Sequence, residues 1–187
     1  MNLNIPNTLT LIRIGFIPVI MVVFYLPYEW ARPLTAWLYF IAGITDWFDG
    51  YLARKLKQQS ALGAFLDPVA DKLIVAVALI MLAAAYHDEY LIILGAIIII
   101  GREITISALR EWMAGLGKSA EVSVSMLGKV KTTVQMFAIG FLLHHYDFIG
   151  MPTHLIGVIL LVIASVLTVL SMLNYLKAAW QVMRTSG

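Results

Sequence analysis

The sequence predicts an all-α polytopic membrane protein. Six transmembrane helices are expected, with both termini cytoplasmic and a polar cleft open to the cytoplasmic side. Three observations lead there. The 187-residue chain is 61% hydrophobic and 13% charged, against about one-quarter charged in an average soluble domain. Its mean hydropathy is +0.87. Apolar runs long enough to cross a bilayer recur from end to end and leave no stretch for a soluble domain, so residues 1–187 read as a single membrane domain.

The spans are placed at Thr8–Leu26, Pro33–Arg54, Gly63–Tyr86, Tyr90–Trp112, Gly128–Tyr146 and His154–Leu176. Each is roughly 19 to 24 residues, enough for a ~30 Å hydrocarbon core at 1.5 Å per residue. Turn and polar residues separate them: Pro27 and Pro33, the Lys55–Ser60 run, His87-Asp88-Glu89, Gly115–Ser125, and Asp147 with Gly150 and Pro152. The first run has no basic segment before it and no small-residue cleavage pattern after it, so it reads as a retained span.

Basic residues sort to one side. Arg54, Lys55 and Lys57 follow the second span, Arg110, Lys118, Lys129 and Lys131 surround the link between the fourth and fifth, and Lys177 and Arg184 follow the sixth. Arg32 stands alone on the other side. The positive-inside rule makes the basic side cytoplasmic. The formal charge of +2 is too small to argue for nucleic acid as a partner, and the absence of cysteine excludes disulfides, thiolate nucleophiles and zinc-thiolate sites.

Four carboxylates, Asp46, Asp49, Asp67 and Asp71, lie within 26 residues of this apolar chain. An Asp near a bilayer centre costs ~2.5–3.5 kcal/mol on insertion scales, and neighbouring anions repel, so cations are expected among them. At ~100° per residue, Asp46, Asp49, Gly50 and Ala53 share one face of the second span, and Gly63, Asp67 and Asp71 share one face of the third. Counted inward, Asp46 and Asp71 lie ~12 Å deep and Asp49 and Asp67 ~6–7.5 Å, so the acids can match in depth across the interface of the two helices. Such a cage of hard oxygen ligands suits Mg²⁺ or Mn²⁺. Gly50, Ala53 and Gly63 clear space beside it, and the guanidinium of Arg54 can hold a phosphate. The competing reading, that these are solvated or capping acids at helix ends, fits any single Asp better than it fits four on facing stripes. Small residues alone would indicate close helix packing.

These positions fill the pattern D-x2-D-G-x2-A-R-x8-G-x3-D-x3-D, and on them the chain resembles the CDP-alcohol phosphatidyltransferases. All eight fixed positions match: Asp46, Asp49, Gly50, Ala53, Arg54, Gly63, Asp67 and Asp71. The stretches IPNTLTLIRI, FLDPVADK, GREITISALREW and GKVKTTVQM resemble the bacterial branch whose acceptor is sn-glycerol 3-phosphate. The resemblance implies a bacterial inner-membrane enzyme that transfers a phosphatidyl group from CDP-diacylglycerol to sn-glycerol 3-phosphate and releases CMP. It implies two divalent ions on Asp46, Asp49, Asp67 and Asp71, with Asp71 as general base. Gly50, Ala53, Arg54 and Gly63 would hold CDP-diacylglycerol, whose acyl chains stay among membrane lipid. Family members are often homodimers, although no interface is legible in this chain.

A dianionic acceptor needs cations. The candidates are Arg102, Arg110, Lys129 and Lys131 on the fourth and fifth spans. Arg102, ~18 Å from the outer end of its helix, requires an anion as substrate or as structural partner. For Arg110, Lys129 and Lys131 the alternative is anchoring at the membrane surface. Glu103 reads as a neutraliser of a neighbour. Arg13, near Asn7 and Thr10, either faces inward or snorkels.

Trp30, Trp37, Trp112 and Trp180 read as interfacial anchors, with Trp47 packing behind the acids. His144, His145 and His154 belong to the outer face, away from the acidic cleft. Other acceptors (an inositol phosphate, serine or a lipid) share the chemistry. A cation-coupled transporter also uses intramembrane acids, but here the acids gather at one face instead of lining a path. A non-catalytic scaffold would not require the eight motif identities.

Overall fold

The computed structural model describes residues 5–56, 61–115 and 126–186. They form six α-helices: α1 (Ile5–Phe24), α2 (Ala31–Leu56), α3 (Ala61–Ala85), α4 (Tyr90–Gly115), α5 (Met126–His144) and α6 (Thr153–Ser186). Every helix end falls within three residues of the sequence expectation except the last. The α6 helix runs on past Leu176 for another turn and more, to 34 residues, or ~51 Å. No Gly or Pro follows Gly157 until Gly187, and Lys177, Ala178, Ala179 and Gln181 are good helix formers, so nothing in the sequence stops the helix at the membrane edge.

Among the described residues, three helical stretches are long and apolar enough to cross a membrane: Phe65–Ala85, Tyr90–Gly115 and Thr153–Lys177. A shorter apolar stretch covers Thr10–Phe24. The sequences of α1, α2 and α5 carry Arg13, Asp46, Asp49, Lys129 and Lys131, the polar residues that the sequence reading singles out.

The main core joins α1 through α6. Ile20 and Phe24, Leu79 and Leu82, Ile92 and Ile99, Ile139 and Leu142, and Leu161 are buried in one cluster. Around it, α1 packs on α2 and α3, α5 on α2 and α6, and α4 on α3 and α6. Among the described residues, α2 and α3 touch each other only slightly, and α1 is the closer neighbour of both. Small residues let the helices approach: a Cβ at Gly140 of α5 would lie 2.2 Å from the Phe40 ring of α2, and one at Gly157 of α6 would lie 2.8 Å from the Leu142 side chain. A second, smaller cluster packs Ile106 and Met113 of α4 against Tyr175 and Ala179 of α6.

At the end away from Asp67 and Asp71, side chains tie together the connections between α1 and α2, α3 and α4, and α5 and α6. Arg32 donates to Tyr86 Oη at 2.9 Å and to the Leu143 carbonyl at 3.3 Å, and its guanidinium lies 4.1 Å from the Phe24 ring centre. Tyr86 Oη is 2.7 Å from His145 Nδ1. His154 Nε2 is 2.9 Å from Glu89 Oε1. His144 Nδ1 lies 2.9 Å from the Tyr146 carbonyl, so His144, His145 and His154 all have structural partners at this end of the bundle. Between α5 and α6, Phe148 and Met151 exchange backbone hydrogen bonds of 3.1 and 3.0 Å around Ile149 (φ 52°) and Gly150 (φ 75°). Positive φ at both central residues marks a type I′ turn.

Candidate active site

Asp67 and Asp71 sit one turn apart on α3, with Pro68 between them. Pro68 brings no amide hydrogen for the carbonyl four residues back, which loosens the helix where the acids emerge. Both acids are half-buried and are met by α1. Thr10 Oγ1 donates a short hydrogen bond to Asp67 Oδ1, and Arg13 Nη1 donates to Asp71 Oδ1 at 2.7 Å. The Arg13 side chain is 1% exposed, while Asp71 keeps 47% of its side chain open. Arg13 thus faces inward, and it supplies a cation that the cluster of acids requires. Thr10 and Arg13 are three residues apart, so one face of α1 serves both acids.

Across from them lies a network of charges on α4, α5 and α6. Glu103 Oε1 accepts from Lys131 Nζ at 2.8 Å and from Arg102 Nη1 at 3.1 Å. Arg102 Nη2 also reaches Ser171 Oγ at 3.3 Å. Arg110 Nη2 donates to Tyr175 Oη at 3.1 Å. The Tyr175 ring stands between the two arginines, with its centre 5.6 Å from the Arg102 guanidinium and 5.3 Å from that of Arg110. One acid and one aromatic ring hold three cations in place.

The two groups share one cavity of about 460 Å³. Arg13, Asp67, Asp71 and Lys72 line one side, Glu103, Arg110, Lys131 and Gln135 the other, with Tyr39 and Gly43 of α2 between them. The cavity brings together two of the four predicted acids and two of the four predicted phosphate-binding cations. Arg102 does not line it and is joined to it through its contact with Glu103. Gly63 is buried near the start of α3. Asp46, Asp49, Gly50, Ala53, Arg54 and Lys129 have helical backbone, and their side chains lie outside the described residues.

The donor set fits a hard divalent ion: carboxylates on one helix turn face a cavity lined by no thiolate and no histidine. Among the described residues, no three of His, Cys, Asp and Glu gather closely enough to hold a metal. The remaining predicted ligands, Asp46 and Asp49, fall outside that set. Reading the sequence left Thr10, Gln135, Ser171 and Tyr175 without a role. The three-residue spacing of Thr10 and Arg13, and the four-residue spacing of Lys131 and Gln135, are the only signals that could have pointed to two of them.

The cavity thus carries carboxylates on one wall and basic side chains on the other. The family model for CDP-alcohol phosphatidyltransferase matches residues 3–183. The chain belongs to the CDP-alcohol phosphatidyltransferase family. Among curated members it is 51% identical over 179 residues to a CDP-diacylglycerol--glycerol-3-phosphate 3-phosphatidyltransferase of Salmonella choleraesuis, covering 96% of each chain. It is 54% identical over 179 residues to the protein of that name from Pectobacterium atrosepticum, with the same coverage. The identity is 51% over 181 residues to the one from Yersinia enterocolitica, covering 97% of each. The phosphatidyltransferase motif of this chain runs from Asp46 to Asp71, and its last two acids are those that α1 clamps.

Proposed function

We propose that this protein is a membrane phosphatidyltransferase that moves a phosphatidyl group from CDP-diacylglycerol to sn-glycerol 3-phosphate, giving phosphatidylglycerophosphate and CMP. The observation that carries this reading is the shared cavity: Asp67 and Asp71 on one wall, Arg110 and Lys131 on the other. Near-full-length identity to transferases of that name supports the choice of substrates.

Each wall has a task in this reaction. Arg110 and Lys131 hold the acceptor's phosphate, with Lys129 completing the set and Arg102 reinforcing it through Glu103. The acceptor's primary hydroxyl is thereby aimed at α3. Asp71, oriented by Arg13, accepts the hydroxyl proton. The freed oxygen forms a bond to the lipid-bearing phosphorus as the bond to the CMP oxygen breaks. Gly50, Ala53, Arg54 and Gly63 hold the cytidine diphosphate end. Two divalent ions, Mg²⁺ or Mn²⁺, on Asp46, Asp49, Asp67 and Asp71 would neutralise the diphosphate. The diacyl chains remain in the bilayer.

The same reading makes residues 1–187 one domain of six spans in a bacterial inner membrane, with the termini and cavity mouth cytoplasmic. The one-sided distribution of basic residues supports this orientation. Purified protein in detergent, given CDP-diacylglycerol, Mg²⁺ and a panel of acceptors, tests the function. CMP and phosphatidylglycerophosphate are expected with glycerol 3-phosphate and without any ion gradient. Release of CMP only with serine or inositol phosphate would replace the acceptor, and no CMP with any acceptor would reject the transferase.

A further inference from the structure

Gln135 is 4% exposed, lines the cavity, and its Oε1 is buried with no hydrogen-bond partner among the described residues. Leaving a buried amide oxygen unpaired is destabilising, and buried polar side chains in native proteins nearly always find a partner. Here the missing partner has a place to come from. Gln135 lies four residues after Lys131, on the same face of α5, so Lys131, Gln135 and the cavity are in line. Gln135 therefore stands about one helical turn, ~6 Å, along α5 from Lys131, in the cavity that Asp71 also lines.

On the transferase reading, an acceptor with its phosphate on Lys131 and Arg110 and its attacking hydroxyl at Asp71 would bring the hydroxyl between them to Gln135. A Gln suits that hydroxyl, because its oxygen accepts and its NH₂ donates. Its last torsion is soft, so either group can turn to the ligand without moving the helix. We propose that Gln135 is a specificity-determining residue that reads the secondary hydroxyl of the acceptor. The inference rests on the transferase reading above and adds to it the group that distinguishes glycerol 3-phosphate from a phosphate ester lacking that hydroxyl.

The test compares sn-glycerol 3-phosphate with 3-hydroxypropyl phosphate, which lacks only the secondary hydroxyl, by CMP release from purified protein with CDP-diacylglycerol. A site built to pair a substrate hydroxyl rejects the analogue without it, so wild-type kcat/KM should be about 100-fold lower for the deoxy acceptor. Gln135→Met, close in size, should lower kcat/KM for glycerol 3-phosphate far more than for 3-hydroxypropyl phosphate, so that the ratio collapses toward one. Gln135→Asn, which keeps the amide, should retain part of the ratio. Equal use of both acceptors by the wild type overturns the proposal with no variant needed. Equal losses on both acceptors in Gln135→Met also overturn it and leave Gln135 a packing residue. No CMP from the wild type with either acceptor instead rejects the transferase reading, and the assignment of Gln135 with it.

Discussion

Arg13 of α1 donates to Asp71 of α3 at 2.7 Å, across 58 residues of sequence, from a side chain that is almost wholly buried. The arginine fixes the carboxylate proposed as the general base. Arg13→Ala should lower kcat roughly ten- to hundredfold, the worth of one hydrogen bond to a charged group, with little change in KM for either substrate. Arg13→Lys should recover part of the loss. Steady-state CMP release in detergent measures both. A rise in KM for glycerol 3-phosphate at constant kcat would place Arg13 in acceptor binding instead.

Glu103 is the acid between Lys131 and Arg102. Glu103→Gln leaves two cations, 4% and 10% exposed, without their counter-charge. Breaking a buried pair in this way costs ~3–5 kcal/mol, so thermal stability in detergent should fall clearly. Glycerol 3-phosphate brings its own negative charge to the same cations and should raise the variant's melting temperature more than the wild type's. Equal shifts in both proteins would mean that Glu103 does not compensate the acceptor site.

Tyr175 accepts from Arg110 at 3.1 Å and stacks beside its guanidinium. Tyr175→Phe keeps the ring and removes the hydroxyl. Because Arg110 is exposed, the loss should be modest: KM for glycerol 3-phosphate should rise about three- to tenfold, while KM for CDP-diacylglycerol stays constant. Arg110→Ala should exceed it. An equal rise for both substrates would contradict a separate phosphate wall.

Residues of the site differ in how plainly the sequence marks them. Asp67 and Asp71 were legible because a four-residue step on an apolar helix puts two acids on one face, and apolar surroundings make acids conspicuous. Arg102 was legible as a deep cation in need of an anion, and Glu103 meets that need. Helix existence follows from the apolar runs, whereas the end of α6 does not, because the membrane edge sets no limit on a helix whose sequence continues to favour one. The clamp by Thr10 and Arg13 was not legible: it depends on α1 packing on α3, and apolar helix faces do not announce their neighbours. Tyr175 was hidden for the same reason, being an aromatic near a helix end like many others until α6 lies against α4.

Ile149 occupies the first central position of the type I′ turn with φ 52° and is 84% exposed. A β-branched residue is strained there, and its side chain gains little by packing. Ile149→Asn should stabilise the protein by about 0.5–1 kcal/mol without changing kcat. Thermal unfolding in detergent reads this, and a destabilised variant would mean that Ile149 is held by contacts to membrane or partner.

In the proposed reaction Asp71 receives the proton while the opposite wall holds the acceptor's phosphate. Asp71→Asn separates these two tasks when it is assayed beside the wild type for CMP release from CDP-diacylglycerol and for binding of glycerol 3-phosphate. The variant should still bind the acceptor and release CMP at least 100-fold more slowly, as expected for loss of a general base. An Asp71→Asn protein that turns over at the wild-type rate would contradict that role.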